Sequence, residues 1–196
     1  RDGRAMTMGG HEVKLARHGF ARKQEWKLEE QGDSMVALSL SFADHAELLE
    51  QYPYPFKIVA RYTIDAAKVA VSYEVTNEGT EDMPFFVGGH PGFKCPLDGG
   101  ESYDDYELRF EQREAAELCT AVPSTGLIDV EHRSKNPMVG HDLPLTHELF
   151  DFAETIFDVL ESRVVTLTKK TEDKGVRLTF PDMPYLIVWS KPEGDF

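Results

Sequence analysis

One histidine of this sequence stands in a context that suits acid–base chemistry. His90 lies within FFVGGHPGF, residues 85–93, where glycines surround it and phenylalanines flank it. Because glycine lacks a side chain, a ligand can approach the backbone closely here, and the aromatic rings offer apolar surface for the C–H face of a sugar. Histidine titrates near neutral pH, so it can give or take a proton. We expect His90 at the mouth of a pocket; the alternative is a Gly-Gly bend with an incidental imidazole.

A second histidine repeats this pattern. His18 lies in ARHGFARKQEW, residues 16–26, beside a glycine and a phenylalanine and ahead of Trp26. Three cations make this stretch the one locally basic spot in an acidic chain: Arg17, Arg22 and Lys23. The stretch is suited to binding a polar ligand. The alternative is a solvated loop over a buried Trp26, because runs of charge usually face water.

Other catalytic and metal-binding motifs are missing from the sequence. His11 and His18 are seven residues apart and His141 and His147 are six apart, and neither spacing matches a compact metal motif. The sequence contains no C-x-x-C, H-E-x-x-H, G-x-S-x-G, P-loop or G-x-G-x-x-G pattern. We therefore expect no metal and no nucleophilic or nucleotide chemistry.

Length and charge limit the remaining function classes. The 196 residues can form one sizeable core, and we expect a single domain over residues 1–196. The net charge of -14 opposes binding to nucleic acid or to an anionic membrane surface, so a neutral small molecule is the favoured ligand. Two cysteines are too few for a disulfide framework, and no apolar run approaches the roughly 20 residues that span a bilayer. We expect a cytoplasmic protein, as a monomer or a homodimer.

Hydrophobicity along most of the chain alternates with a period of two, which is typical of β-strands. IVARYTI, residues 58–64, and VAVSYEV, residues 69–75, show the alternation most clearly. Further predicted strands are short and rich in β-branched or aromatic residues: 34–42, 84–88, 106–110, 163–168, 175–180 and 185–190. Turn-forming residues separate them. The pattern predicts an all-β fold of antiparallel sheets.

Helical signals are brief, and we predict one or two short helices. Asp44 followed by Glu47 forms a capping-box pattern before LLEQY, and Thr146 can cap a second segment. The apolar residues of that segment are Leu149, Phe150, Ala153 and Ile156. Residues 121–147 are polar, and we expect a long connection there.

Four separated stretches together resemble the aldose 1-epimerase (galactose mutarotase) family, in particular its LacX-like bacterial branch. They are RHGFAR followed by a tryptophan, YPYPFKIVARYTI, VTNEGTEDMPFFVGGHPGF and MPYLIVWSKPEGDF. Each alone is a weak signal, but the four agree with the family in order and spacing. The resemblance implies a large antiparallel β-supersandwich, in keeping with the two-residue period.

The resemblance also implies an activity and its residues. His90 falls where the family has the general acid that protonates the ring oxygen of the sugar, and His18 falls at a substrate-binding histidine. We expect Arg22, in the same stretch as His18, to be a further sugar ligand. The family often has an acidic residue near the sugar in the stretch that here reads LFDFAETIF, and Glu154 or Asp151 could be that residue. No cofactor is implied.

The sequence departs from the family in one respect. The family's catalytic base is a glutamate in an EPW-like segment shortly downstream of the W-x-K-P stretch, and the sequence stops at Phe196, before that segment. Glu193 lies on the near side of the stretch and is not that residue. The family also has strands before the position of residue 1. We therefore expect the sequence to be trimmed at both ends; the alternative is a protein that has lost the base and is not an epimerase.

Two alternatives to a hexopyranose epimerase remain open at this stage. An epimerase acting on a hexose 6-phosphate needs a cationic clamp, for which the only visible candidate is the cluster of Arg17, Arg22 and Lys23. A non-catalytic carbohydrate-binding or regulatory protein would keep the pocket without turnover. One scaffold can host several functions, so the fold does not choose between these alternatives.

Overall fold

The computed structural model describes residues 4–122, 124–125, 127–151 and 154–191. The regular structure of these ranges consists of β-strands and short 3-10 helices, which confirms the predicted all-β class. No helix in the described ranges has the length and apolar character needed to cross a membrane. The chain divides into two compact units between Val87 and Gly88, called unit 1 and unit 2 below. That they act as a single domain stays a prediction.

Unit 1 is built on one four-stranded antiparallel sheet and a small hairpin. The strands are β1 (Arg4–Met6), β2 (Glu12–Lys14), β3 (Lys27–Gly32), β4 (Met35–Ser41), β5 (Phe56–Asp65) and β6 (Lys68–Asn77). The sheet has the order β3-β4-β5-β6, and β1 pairs with β2. The alternation in β5 and β6 sets their pairing, which runs without a break from Phe56 opposite Asn77 to Asp65 opposite Lys68.

An aromatic cluster forms the core of unit 1. Its buried members are Val13, Leu40, Leu48, Tyr52, Tyr54 and Phe56. YPYPF, residues 52–56, places three of these aromatic rings within a few residues, between the 3-10 helix Ala46–Glu50 and the start of β5. This cluster matters for function because the partly buried Phe20 and Trp26, from the His18 stretch, pack against it.

Unit 2 contains two four-stranded antiparallel sheets. One has the order β10-β7-β12-β13 and the other β14-β11-β8-β9. The strands are β7 (Tyr106–Phe110), β8 (Leu118–Val122), β9 (Leu127–Ser134), β10 (Asp142–Pro144), β11 (Thr155–Phe157), β12 (Val164–Lys169), β13 (Gly175–Thr179) and β14 (Leu186–Val188). Their apolar faces supply two buried clusters, around Tyr106 and around Phe157.

Most predicted strands are confirmed, but two predictions about strands are wrong. Residues 84–88 form no strand: this stretch has an extended sequence pattern but no pairing partner, and Phe86 is fully exposed. Residues 121–147 are not one long connection, because β9 and β10 lie within them. β9 was missed because its sequence, LIDVEHRS, is largely polar and exposed on both faces.

The predicted short helices exist as 3-10 helices with different bounds. The first, Ala46–Glu50, has His45 and not Asp44 at its N-cap position, and no side-chain hydrogen bond caps it; Asp44 lies in the preceding turn. The second, His147–Phe150, does follow Thr146, but no side-chain hydrogen bond caps it. It ends at Phe150, and Ile156 belongs instead to β11, where pairing with β8 and β14 outweighs the local helical pattern. Ala153 lies outside the described residues.

Candidate functional site

The His18 stretch forms a tight turn in unit 1. His18 and Gly19 both have φ of 68°, and the Gly19 amide donates to the Ala16 carbonyl at 2.9 Å. A left-handed backbone is costly for a residue with a side chain, and residues under such strain cluster at binding and catalytic sites. The side chain of His18 is exposed. The local structure therefore presents this imidazole outward from a conformation that the surrounding residues must hold.

Two aromatic residues that follow His18 anchor this turn, one by ring packing and one by a hydrogen bond. The Phe20 ring lies 5.5 Å from the Phe56 ring, and Trp26 donates from Nε1 to the Ala21 carbonyl at 2.9 Å. Arg22 lies between these anchors on the 3-10 helix Ala21–Lys23 and is exposed. The structure thus places His18 and Arg22 on one anchored loop, and Trp26 is partly buried against the aromatic core.

His90 lies in a long segment without strands, residues 78–102. The start of this segment is fixed to unit 1, because Tyr52 donates from its hydroxyl to the Pro84 carbonyl at 2.8 Å and Met83 packs against the aromatic core. On the unit 2 side, His90 and Phe93 are exposed and Cys95 is buried. His90 is therefore an accessible imidazole on a segment whose start is held by hydrogen bonding and packing.

A cleft of about 300 Å³ in unit 1 is lined in part by His11. The sequence indicated no role for His11, because its spacing from His18 does not match a metal motif. In the structure its Nε2 lies 2.7 Å from Oε2 of Glu81, and its ring packs edge-on against Tyr54. No cluster of three metal-ligating side chains is found in the described part of the chain. His11 and Glu81 are 70 residues apart, so no local pattern could have paired them.

A cleft of about 470 Å³ lies in unit 2, beside the continuation of the His90 segment. Its wall includes Glu101, whose pKa is lowered because Lys169 and then Tyr106 donate hydrogen bonds to its carboxylate. The Glu101 carboxylate is thus held as an anion with both oxygens engaged. His90 lines neither this cleft nor the one in unit 1, and its place at the mouth of a pocket stays a prediction.

The two predicted carboxylate ligands lie near each other in sequence in unit 2. Asp151 ends the 3-10 helix His147–Phe150 and is exposed. Glu154 is partly buried and directly precedes β11. Their assignment as sugar ligands stays a prediction.

Asp158, a third carboxylate of this stretch, has a structural role. Arg133 donates to both of its oxygens, at 2.9 and 2.6 Å. This pairing lowers the pKa of Asp158 to about 2, since the bidentate bond favours the charged form over the cost of desolvation. A residue 25 positions away in sequence therefore engages this carboxylate.

The Arg133–Asp158 pair predicts an acid-dependent loss of stability. Because the folded-state pKa lies below the ordinary aspartate value of ~3.9, the pair stabilises the fold above that pH and loses its effect as the pH falls towards 2. We expect Asp158→Asn to lower the melting temperature by about 2–5 °C at pH 6 and by progressively less below pH 4. Calorimetry across this pH range measures the difference in melting temperature between wild type and Asp158→Asn, with the exposed Asp182→Asn as control. A melting-temperature difference that stays constant with pH would contradict the stabilising role of the Arg133–Asp158 pair.

Known proteins resemble this chain in sequence. The family model for aldose 1-epimerase matches residues 2–194. The plasmid-encoded protein LacX of Lactococcus lactis subsp. lactis is 40% identical over 177 residues, which are 90% of this chain and 58% of LacX. The chain thus spans less than two thirds of the length of this relative.

Solved structures of similar proteins share the fold. A galactose mutarotase-like protein from Lactobacillus casei ATCC 334 superposes with a TM-score of 0.83 at 27% identity, covering 99% of this chain and 65% of that one. A galactose mutarotase related enzyme from Lactobacillus acidophilus gives 0.81 at 26% identity, covering 96% and 61%. The all-β fold is therefore galactose mutarotase-like, and, with the family match over nearly its whole length, the chain belongs to the aldose 1-epimerase family.

Proposed function

We propose that the protein is an aldose 1-epimerase that interconverts the α and β anomers of a hexopyranose. One observation carries the proposal: the family match runs from residue 2 to residue 194 and so includes both histidine-bearing stretches. The structure supports it by presenting His18 and His90 as exposed side chains next to aromatic residues. Their roles remain those that the family resemblance implies.

The proposed reaction needs only proton transfers. A base takes the proton of the anomeric hydroxyl, the bond between C1 and the ring oxygen breaks, and the ring oxygen takes a proton from the His90 imidazolium. The open aldehyde rotates about C1–C2, and ring closure by the reverse transfers gives the other anomer. One proton is given and one is taken in each direction, so the reaction is balanced without a cofactor. Correctly placed acid and base groups contribute on the order of 100- to 10,000-fold each.

The remaining candidate residues serve as ligands to sugar hydroxyls. His18 and Arg22 share the anchored loop of unit 1, where an imidazole and a guanidinium can donate hydrogen bonds without large rearrangement. Asp151 and Glu154 are the proposed hydrogen-bond acceptors for sugar hydroxyls. In this proposal, rigid placement of these groups is what distinguishes one sugar from another.

A hexose 6-phosphate is the second candidate substrate. The observation that favours it is that Arg22 and Lys23 are both exposed on the 3-10 helix beside His18, where they could pair with a phosphate. The net charge of -14 opposes it, because the field of the whole molecule repels an anion. The free sugar is therefore our first choice.

Polarimetry tests the proposal. Freshly dissolved α-D-glucose and α-D-galactose approach anomeric equilibrium slowly, and we expect the longest natural form of the protein to accelerate that approach on at least one of them. Glucose 6-phosphate, followed with a dehydrogenase specific for the β anomer, is run in parallel. If the rate on glucose 6-phosphate exceeds the rates on both free sugars more than tenfold, a hexose 6-phosphate replaces the free sugar as the proposed substrate.

Heat-denatured protein is the control for buffer catalysis, since phosphate and imidazole buffers themselves promote mutarotation. Sugar binding is measured by calorimetry on the same samples. If the protein binds a sugar but accelerates anomer exchange of none of the three, the proposed enzymatic activity is wrong and the protein is a carbohydrate-binding protein.

A further inference from the structure

Strand β6 of unit 1 is a long edge strand. It runs over ten residues, Lys68–Asn77, and lies at the end of the sheet order β3-β4-β5-β6. Strands are most often about five or six residues long, and natural edge strands tend to be very short. One side of β6 pairs with β5 without a bulge, and the other side has no partner strand in the described ranges. Such an edge can pair with a further strand.

Two other edge strands carry features that oppose such pairing. The ladder of β3 is interrupted by a bulge between Leu28 and Glu30. In β9, the Asp129 carboxylate accepts hydrogen bonds from the amides of Glu131 and His132, both at 3.0 Å. Neither kind of feature interrupts β6 within the described ranges, and its sequence contains no proline.

One face of the β5–β6 hairpin is apolar and exposed. Tyr62 lies opposite Val71 and Ile64 lies opposite Val69, and alternate residues of a strand share a face. The exposed fractions of these four side chains run from 37% for Tyr62 to 63% for Val69. A strand added beside β6 would extend this face, and apolar residues on that strand would remove it from water.

The sequence of β6 is complementary to itself in one antiparallel register. Two identical edges can pair in this way only when the pairing is centred on a residue, because the free N–H and C=O groups of an edge strand lie on alternate residues. Centring on Val71 places Lys68 of each copy opposite Glu74 of the other. Registers centred one residue to either side place Lys68 opposite Ser72 or Thr76, so the charges no longer match.

The same register also matches the apolar residues. Val69 of each copy lies opposite Tyr73 of the other, and the two Val71 side chains meet at the two-fold axis. Opposite residues of a ladder point to the same face, so the apolar faces of the two hairpins become continuous. Pairs of aromatic with β-branched residues, and of opposite charges, are those that stabilise neighbouring strands.

We infer that two copies of the protein associate through β6, antiparallel about a two-fold axis at Val71. The partner at this edge is a second copy of the chain because one register satisfies the charges and the apolar side chains together. A two-fold contact uses the same surface on both copies, so it closes at a dimer and does not build a fibre. The interface is contained in unit 1 and does not depend on the proposed enzymatic activity.

Sedimentation velocity of the longest natural form of the protein tests the association. We expect a monomer–dimer equilibrium with a Kd on the order of 10 µM, as for a small interface. A protein that stays monomeric at ten times that concentration overturns the inference, whether a further segment of the natural protein or another partner covers β6.

Two charge reversals test the pairing of Lys68 with Glu74. Lys68→Glu and Glu74→Lys each place like charges opposite one another at two positions of the dimer, and we expect each to weaken the dimer about tenfold. An equimolar mixture of the two variants restores opposite charges at both positions and should associate within about twofold of wild type. General destabilisation of the sheet would give no such recovery. Lys27→Glu, the same change on the exposed β3 edge, is the matched control and should leave Kd unchanged.

Cysteine cross-linking tests the register. The native residues Cys95 and Cys119 are buried, so introduced thiols react first. Val71→Cys places two thiols opposite each other at the axis, within reach of a bismaleimide that spans about 8 Å. Thr76→Cys places them about 34 Å apart along the ladder. We expect the first variant to form cross-linked dimer at least tenfold faster than the second.

Two results would contradict the β6 interface even if a dimer is found. One is a mixture of Lys68→Glu and Glu74→Lys that associates no better than either variant alone. The other is cross-linking of Thr76→Cys as fast as that of Val71→Cys. Circular dichroism checks that each variant is folded, and if a charge variant is not, the comparison of the two cysteine variants decides.

Discussion

His90→Gln should lower kcat for anomer exchange by about 100- to 10,000-fold, the contribution of a correctly placed general acid. Glutamine is close to histidine in size and can still donate a hydrogen bond to the ring oxygen, but its amide cannot transfer a proton at neutral pH. The loss therefore measures proton transfer and not merely binding. Because His90 is exposed, the substitution should leave the melting temperature within about 2 °C of wild type.

His132→Gln provides the matched control for this experiment. His132 is also exposed and also in unit 2, where its Nδ1 lies 2.9 Å from the Asp129 carboxylate. We expect its kcat within twofold of wild type. A His90→Gln variant that keeps more than a third of wild-type kcat would show that another group protonates the ring oxygen.

Glu114→Ala should produce the largest loss of stability, about 3–5 kcal/mol in the free energy of unfolding of unit 2. The Glu114 carboxylate is 4% exposed and accepts hydrogen bonds from the amides of Ser162 at 2.8 Å and Glu161 at 2.9 Å. Hydrogen bonds to a charged group contribute about 1.5–3 kcal/mol each, and truncation leaves both donors without this acceptor. The loss is a large fraction of the 5–15 kcal/mol that is typical of a domain.

Two further variants make this prediction specific. Glu114→Gln keeps one acceptor oxygen but turns an NH2 group towards an amide donor, so an intermediate loss of about 1.5–3 kcal/mol is expected. Glu117→Ala removes an exposed carboxylate three residues away and should cost less than about 0.5 kcal/mol.

Urea denaturation followed by circular dichroism measures the midpoints of these variants, and hydrogen exchange at the Ser162 amide locates the effect. Equal midpoints for Glu114→Ala and Glu117→Ala would show that the bonds to Glu161 and Ser162 contribute nothing to stability.

Features encoded by neighbouring residues could be predicted from the sequence. The alternation in residues 58–64 and 69–75 predicted β5 and β6, because side chains on a strand point alternately to opposite faces. The glycines and aromatic residues around His18 and His90 singled out these two histidines, and both are exposed in the structure. Segment 84–88 shows the limit of this approach, since an extended, apolar pattern does not say whether a pairing partner exists.

The all-β class, the family and the two histidines that carry the proposed chemistry could all be inferred from the order of the residues alone. Only the tertiary structure showed that Tyr52 bonds Pro84 across 32 residues, that His11 meets Glu81 across 70, and that Arg133 engages Asp158. The physical reason is that periodicity and backbone preference act between neighbours, whereas burial and hydrogen-bond satisfaction depend on groups that meet only when the chain has folded.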